Sequence, residues 1–245
     1  MLLKNMVAVI TGGAKGIGYA TALLFATEGA TVVVADRVFS NRECFIKRDF
    51  SGTGHIYEIK LDVTDEEEVK RIMRMVSSEF GRVDILFNNA GIVKSATPFE
   101  DVPRESWSSI FEINMYGVVN CCKAVIPIMK RQKTGKIINI TSLAGEVGGI
   151  RTETSYAASK AAVICITMSL AKYLGPDQIQ VNAVSPGVID TDMTTVLEEA
   201  DLNGIPLRRI GKPEDVANAV LFLSSHMSDY ITGVVLDING GMHMR

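Results

Sequence analysis

Short runs of apolar, often β-branched residues recur along the chain, and between them lie longer stretches whose apolar positions fall three and four apart. The short runs are MVAVIT, ATVVVAD, HIYEIKLD, DILFNNA, KIINITS, IQVNAVSP and VVLDING. All but the alternating HIYEIKLD are nearly continuous in hydrophobicity, as expected of strands covered on both faces. The longer stretches are YATALLFATEG, EEEVKRIMRMVSSEFG, ESWSSIFEINMYGVVNCCKAVIPIMKR, the segment containing SYAASK, and PEDVANAVLFLSS. Strand and helix alternating in this way predict an α/β Rossmann fold, a doubly wound sheet of seven parallel strands with helices on both faces. No repeat, low-complexity tract or linker interrupts the pattern, so residues 1–245 are expected to form a single domain that binds a dinucleotide and catalyses.

Composition narrows the function classes. Of 245 residues, 47% are hydrophobic and 22% charged, with a net charge of −3. That balance supports a large core and gives no general attraction to nucleic acid or to an anionic membrane. The start, MLLKNMVAVIT, breaks its apolar run at Lys4 and Asn5 before a glycine loop, unlike a signal peptide or a membrane span, and reads as cytoplasmic. Cys44, Cys121, Cys122 and Cys165 lack metal-ligand spacing, His55, His226 and His243 cluster with none of them, and no metal site is expected.

The candidate chemistry lies at strand ends. After the first strand comes TGGAKGIG, in which Gly12 permits a tight turn while Gly16 and Gly18, on either side of Ile17, allow close approach of ligand and of helix to strand. Free N–H groups at the start of the following helix suit a pyrophosphate. The second strand closes with Asp36 and Arg37, about twenty residues on, where a carboxylate can accept hydrogen bonds from both adenosine ribose hydroxyls and repel a 2′-phosphate. Arg37 and Lys15 are the cations that could offset it. The fourth strand ends in Asn88-Asn89-Ala90-Gly91 and the fifth in Thr141-Ser142, groups that could equally form turns. In SYAASK, Tyr156 and Lys160 are one helical turn apart on one face, so the ammonium can favour the phenolate and bring a tyrosine that titrates near ~10 closer to neutrality.

TGGAKGIG, Asp62-Val63, NNAG, Asn114, Ser142, YAASK and Pro186-Gly187, in this order and at this spacing across nearly the whole chain, resemble the short-chain dehydrogenases/reductases. The resemblance implies Tyr156 as general acid or base, and Lys160 as holder of the nicotinamide ribose and modulator of the tyrosine. It implies Ser142 as hydrogen-bond donor to the substrate oxygen, and Asn114 at a helix irregularity, anchoring a water on a proton path from Lys160. Asn89, Ala90 and Gly91 are then expected on the adenosine ribose side, and Asp62 and Val63 at the adenine. Pro186, Gly187 and Ile189 are expected at the nicotinamide amide, with Thr191 closing over the cofactor.

Within the family, DTDMT, PLRRIGKPEDVANAVLFLSS and YITGVVLDINGGM look most like the 3-oxoacyl-(acyl-carrier-protein) reductases. Those enzymes usually take NADPH, whereas Asp36 points to NAD, with NADP the weaker expectation. Lys130, Arg131 and Lys133 are the basic residues offered to an acidic carrier, with Asp177 opposing them. The competing substrates are a small secondary alcohol, polyol, sugar or hydroxysteroid, and the competing class is a nucleotide-sensing Rossmann protein without chemistry. The resemblance further implies a homotetramer and a substrate lid at about 191–207.

Overall fold

In the computed structural model, which describes residues 1–149, 152–192 and 202–244, the strands are β1 (Val7–Thr11), β2 (Thr31–Asp36), β3 (Ile46–Arg48), β4 (His55–Lys60), β5 (Ile85–Asn88), β6 (Gly135–Ile140), β7 (Ile179–Pro186) and β8 (Val235–Ile238). The helices are α1 (Gly16–Thr27), α2 (Glu66–Phe80), α3 (Arg104–Phe111), α4 (Gly117–Gln132), α5 (Ala144–Val147), α6 (Thr154–Leu174) and α7 (Pro213–Ser224). One sheet runs in the order β3-β4-β2-β1-β5-β6-β7-β8. Seven of its strands are parallel, as expected. The eighth, β3, corrects the strand count: it is an antiparallel edge strand pairing Lys47 with Tyr57. All three of its residues are exposed, so burial left no apolar signature in the sequence.

Alternate residues of the central parallel strands feed two separate cores. Val7 and Val9 join Val33, Leu86 and Ile137 on the face covered by α2, α4 and α6. Ala8 and Ile10 join Val32, Val34, Ile85 and Phe87 on the opposite face, against Phe25 of α1 and Val220 of α7. A sheet covered twice explains why its strands lack polar alternation. The apolar α6 is part of this packing, running against β7.

The chain reverses its direction of strand addition at β1, which lies between β2 and β5. At such a switch point the loops leaving the carboxyl ends of the two strands part and open a crevice. Here they are locked to each other. Thr11 Oγ1 accepts from the N–H groups of Asn89 (3.1 Å) and Ala90 (3.2 Å), and Asn89 Nδ2 donates to the carbonyls of Thr11 (3.1 Å) and Gly12 (2.7 Å).

The expected long helix over 105–131 is one axis with a defect. Between α3 and α4, Glu112–Tyr116 winds as a π-helix around the fully buried Asn114. An inserted residue of this kind re-aims a side chain without ending the helix.

Gly18 marks where α1 meets the lock. A methyl group there would lie 2.6 Å from both Asn89 Nδ2 and the Gly12 carbonyl. Gly18→Ala is expected to lose about 1–3 kcal/mol in urea unfolding, because neither atom can move without breaking the bond that joins β1 to β5.

Candidate active site

A cavity of about 1230 Å³ opens along the carboxyl ends of the parallel strands. Every cofactor and catalytic candidate from the sequence lines it except Gly18 and Asn114, which stand behind its wall. The volume exceeds what a drug-sized ligand needs and leaves room for two ligands side by side.

One end is built by backbone. Gly12 and Gly16 adopt φ of 63° and 57°, which favour glycine. Lys15 at the start of α1 supplies no side-chain cap, and no acidic residue lies in the first turn, so the helix presents bare N–H groups to the cavity. Asp36 stands beside this loop with its carboxylate held in place: Oδ2 accepts from Ala14 N (3.1 Å) and Oδ1 from Val38 N (3.2 Å). Asp62 spends one oxygen on its own turn, accepting from the N–H and hydroxyl of Thr64. The Val63 carbonyl is fixed by Asn120 Nδ2 at 3.0 Å. A glycine loop, an uncapped helix start and a ribose-side carboxylate together suit a dinucleotide. The lysine expected to compete with Asp36 is turned elsewhere: Lys15 Nζ pairs with Asp192 Oδ2 at 2.9 Å, across the cavity mouth from the glycine loop.

The other end carries the titratable groups. Ser142 follows β6, its Oγ accepting from Ala144 N at 3.2 Å, and lines the same cavity as Tyr156 in the first turn of α6. Lys160, one turn on, is 3% exposed. Its Nζ donates to the Ile140 carbonyl (3.1 Å) and lies 5.8 Å from the centre of the Tyr156 ring. The ammonium is therefore anchored at the strand end, within reach of the ring. Burial pushes the Tyr156 phenol up, and it is Ser142 that pulls it down. Burial also lowers Lys160 to about 8. Asn114 Oδ1 accepts from Ile92 N (2.8 Å), while Nδ2 donates to Ile92 O (2.9 Å) and Ser159 Oγ (3.2 Å). Its amide joins the π-helix, the loop after β5 and α6. Gly91 fits between, since a Cβ there would come within 3.2 Å of Asn114 Oδ1 and 3.5 Å of Lys160 Nζ.

Pro186, Gly187, Ile189 and Thr191 form the side wall beyond β7, where the Ile189 strand segment pairs with Gly211. Of the expected lid over 191–207, residues 193–201 lie outside the described residues; Ile205 beyond them is buried. Sequence reasoning missed Thr11, Met242 and Thr152. Thr11 is an ordinary strand residue until its partners are known, and the other two reach the cavity wall from the last strand's tail and the loop before α6. Lys130, among the basic residues offered to a carrier, does not line the cavity. It lies where α4 leads into the amino end of β6, paired with Asp177 at 2.9 Å and stacked over Tyr173.

Residues 12–243 match a family model described as enoyl-(acyl carrier protein) reductase. The chain is 43% identical to a 3-oxoacyl-[acyl-carrier-protein] reductase of Thermotoga maritima over 99% of both chains. It belongs to the short-chain dehydrogenases/reductases. It is likewise 40% identical to a 3alpha-hydroxysteroid dehydrogenase of Mediterraneibacter gnavus over 98% of both chains. The crystal structure of gox2181 superposes with a TM-score of 0.88 at 34% identity, covering 98% of this chain and 96% of that one. As a member of this family it is an oxidoreductase that interconverts an alcohol and a ketone with a nicotinamide cofactor.

Lys160 makes the site costly. Below pH 8 its ammonium is charged in the folded and the unfolded chain alike, and the folded chain bears the whole penalty of burying it. Between about 8 and 10.5 the folded chain holds fewer protons than the unfolded one, so the penalty fades as pH rises. Lys160→Met is expected to stabilise the protein by about 1–3 kcal/mol near neutrality in urea unfolding, with the gain shrinking above pH 8.

Proposed function

We propose that this short-chain dehydrogenase/reductase is an NAD-preferring enzyme that reduces a 3-oxoacyl thioester or oxidises the corresponding 3-hydroxyacyl thioester, with Tyr156 as the acid/base. The observation that carries the reading is that Ser142, Tyr156 and Lys160 line the same cavity as the glycine loop, with the Lys160 ammonium 5.8 Å from the centre of the Tyr156 ring. When bound, the nicotinamide supplies or accepts a hydride. In the reductive direction Tyr156 gives its phenolic proton to the ketone oxygen, and Ser142 donates a hydrogen bond to that oxygen as charge develops on it. Lys160 holds the nicotinamide ribose, and its positive charge favours the tyrosinate left by proton transfer. Asn114 keeps the loop over Lys160 in register and anchors the water through which the proton is replaced.

Cofactor binding is divided along the cavity. The N–H groups around Gly12, Gly16 and Ile17 take the pyrophosphate, Asp36 the adenosine ribose, Asp62 and Val63 the adenine. Asn89, Ala90 and Gly91 line the ribose side. Pro186, Gly187 and Ile189 take the carboxamide, and Thr191 covers it. Two hydrogen bonds hold the Asp36 carboxylate beside the loop, and Lys15 is engaged with Asp192, which leaves Arg37 as the cation nearest in sequence to receive a 2′-phosphate. This supports NAD over NADP.

The thioester reading rests on the 3-oxoacyl reductase relatives. A second reading, oxidation of a hydroxysteroid or another small secondary alcohol, is favoured by the hydroxysteroid dehydrogenase at 40% identity and by the exposed apolar rim of Val147 and Met242 on the cavity. We further infer a homotetramer of the soluble cytoplasm, assembled through the outer faces of α4 and α6 and the region of β8, where Tyr116, Met168, Tyr173 and Val234 are exposed. Turnover of an acetoacetyl thioester beside a panel of steroid and polyol substrates separates the readings.

Tyr156→Phe is expected to lower kcat by about three orders of magnitude or more while the dissociation constant of the cofactor stays within about threefold, because only the transferable proton is lost. Activity within tenfold of the parent would remove Tyr156 from the role.

Asp36 decides cofactor choice. At an effective dielectric of ~20, a carboxylate roughly 4 Å from a phosphate charge opposes it by about 4 kcal/mol. NAD is expected to exceed NADP by at least about tenfold in kcat/KM. Asp36→Ala should narrow or reverse the ratio, and a parent that prefers NADPH would show that Arg37 and Lys15 outweigh the carboxylate.

A further inference from the structure

Three residues before Tyr156, a carboxylate is buried for which the reaction described above has no use. Glu153 is 5% exposed. Its Oε2 accepts from Ser155 Oγ (3.0 Å) and from Ser106 Oγ in α3, and Oε1 accepts from Thr97 Oγ1 at 3.4 Å. Ser106 Oγ in turn accepts from Lys94 Nζ at 2.8 Å, and the same ammonium reaches Ser109 Oγ at 3.4 Å. The buried charge is thus compensated through a bridging hydroxyl, with no direct ion pair among the described residues. A carboxylate this deep is tolerated only when its oxygens are occupied.

The backbone of the same residue takes part. Glu153 N donates to the Lys94 carbonyl (3.2 Å), and the Glu153 carbonyl accepts from Tyr156 N (3.0 Å), opening the first turn of α6. Ser95 and Thr152 form a lone antiparallel bridge beside it. One residue therefore fastens the first turn of α6, which carries Tyr156, to α3 and to the loop that continues from Asn89-Ala90-Gly91.

We infer that Glu153 is a positioning residue: its buried carboxylate, held by Ser106, Ser155 and Thr97 and balanced by Lys94, fixes the first turn of α6 so that Tyr156 keeps its place on the cavity wall beside Ser142 and Lys160. The inference rests on Tyr156 being the acid/base. It differs from a general packing role in its consequences. Glutamine, which keeps the shape and the acceptor oxygen, preserves the lock, whereas alanine leaves three hydroxyls without their common acceptor and the Lys94 ammonium without the charge that balances it through Ser106.

The test compares the parent with Glu153→Gln, Glu153→Ala and the milder Ser106→Ala. Glu153→Ala is expected to lose about tenfold or more in kcat with KM and the cofactor dissociation constant within about threefold, and Glu153→Gln to stay within about threefold of the parent throughout. A smaller loss of the same type is expected for Ser106→Ala. In parallel, NMR titration of ring-labelled tyrosine in the absence of cofactor follows the Tyr156 phenol, which burial holds above its ordinary value. Water entering a loosened first turn should lower its midpoint in Glu153→Ala and leave it unchanged in Glu153→Gln. A kcat for Glu153→Ala within about twofold of the parent overturns the inference, as does a Glu153→Gln variant damaged as badly as the alanine one. If the parent turns over none of the alcohols or ketones, the proposed reaction fails and the phenol titration alone decides: a lowered midpoint in Glu153→Ala sustains the positioning role, and an unmoved one removes it.

Discussion

A parallel sheet whose strands are apolar on both sides has to be covered twice, and everything at the site follows from how the chain meets that constraint. Covering one face with α1 and α7 and the other with α2, α4 and α6 requires the chain to turn back at β1. The two loops leaving β1 and β5 then diverge, and no helix can fill the space between them. Core packing alone would leave that crease soft. The hydrogen bonds of Thr11 and Asn89 close it from beneath, which makes the crevice a rigid floor on which the glycine loop and the Asp36 carboxylate are held.

Rigidity at the floor is matched by a buried polar layer behind the catalytic end. Asn114, Ser159, Lys160 and the Ile140 carbonyl are enclosed by apolar packing, and each polar contact there replaces one that water would have made. The net contribution of such bonds to stability is small, while the cost of leaving one unmade is large, so the layer specifies a geometry more than it stabilises the fold. The π-helical turn belongs to the same economy. It re-aims Asn114 within an otherwise regular axis, so that one amide can hold Ile92 and Ser159 together.

What could be read from the sequence was whatever burial or backbone freedom had written into residue type. Apolar runs, continuous in six and alternating in HIYEIKLD, gave the seven parallel strands, and the glycines gave the loop after β1. The serine, tyrosine and lysine were found because they interrupt patterns where an apolar residue would cost less. The short β3 was hidden, since a three-residue exposed edge strand needs only a partner and Ile46-Lys47-Arg48 carries no pattern of its own. Helical spacing placed Lys160 on the face of Tyr156 but could not say that its amine would turn to the Ile140 carbonyl, a choice made by a strand twenty residues away. Asp177 was read as opposing Lys130, Arg131 and Lys133, and the fold pairs it with Lys130 at 2.9 Å. Glu153 gave no signal at all, because a single glutamate in a polar stretch is ordinarily a solvated one, and only the fold brings Ser106 and Thr97 to it.

These misses share a cause that bears on how the site works. Residue type reports the local environment, whereas the direction of a charge reports its partners, and those come from distant segments. Asp36 illustrates the difference. Its identity alone is compatible with a strand-end turn or with a ribose ligand. Two backbone N–H groups, one of them from the glycine loop itself, hold the carboxylate where it is. Rotating it away to admit a phosphate would forfeit two charge-assisted bonds, each worth about 1.5–3 kcal/mol, before any repulsion is relieved. On the proposed reading, selectivity therefore resides less in the charge of Asp36 than in the loop that prevents it from turning. An exposed arginine next to it in sequence can screen that charge but does not hold it, so on the same reading the preference belongs to the loop and the carboxylate together.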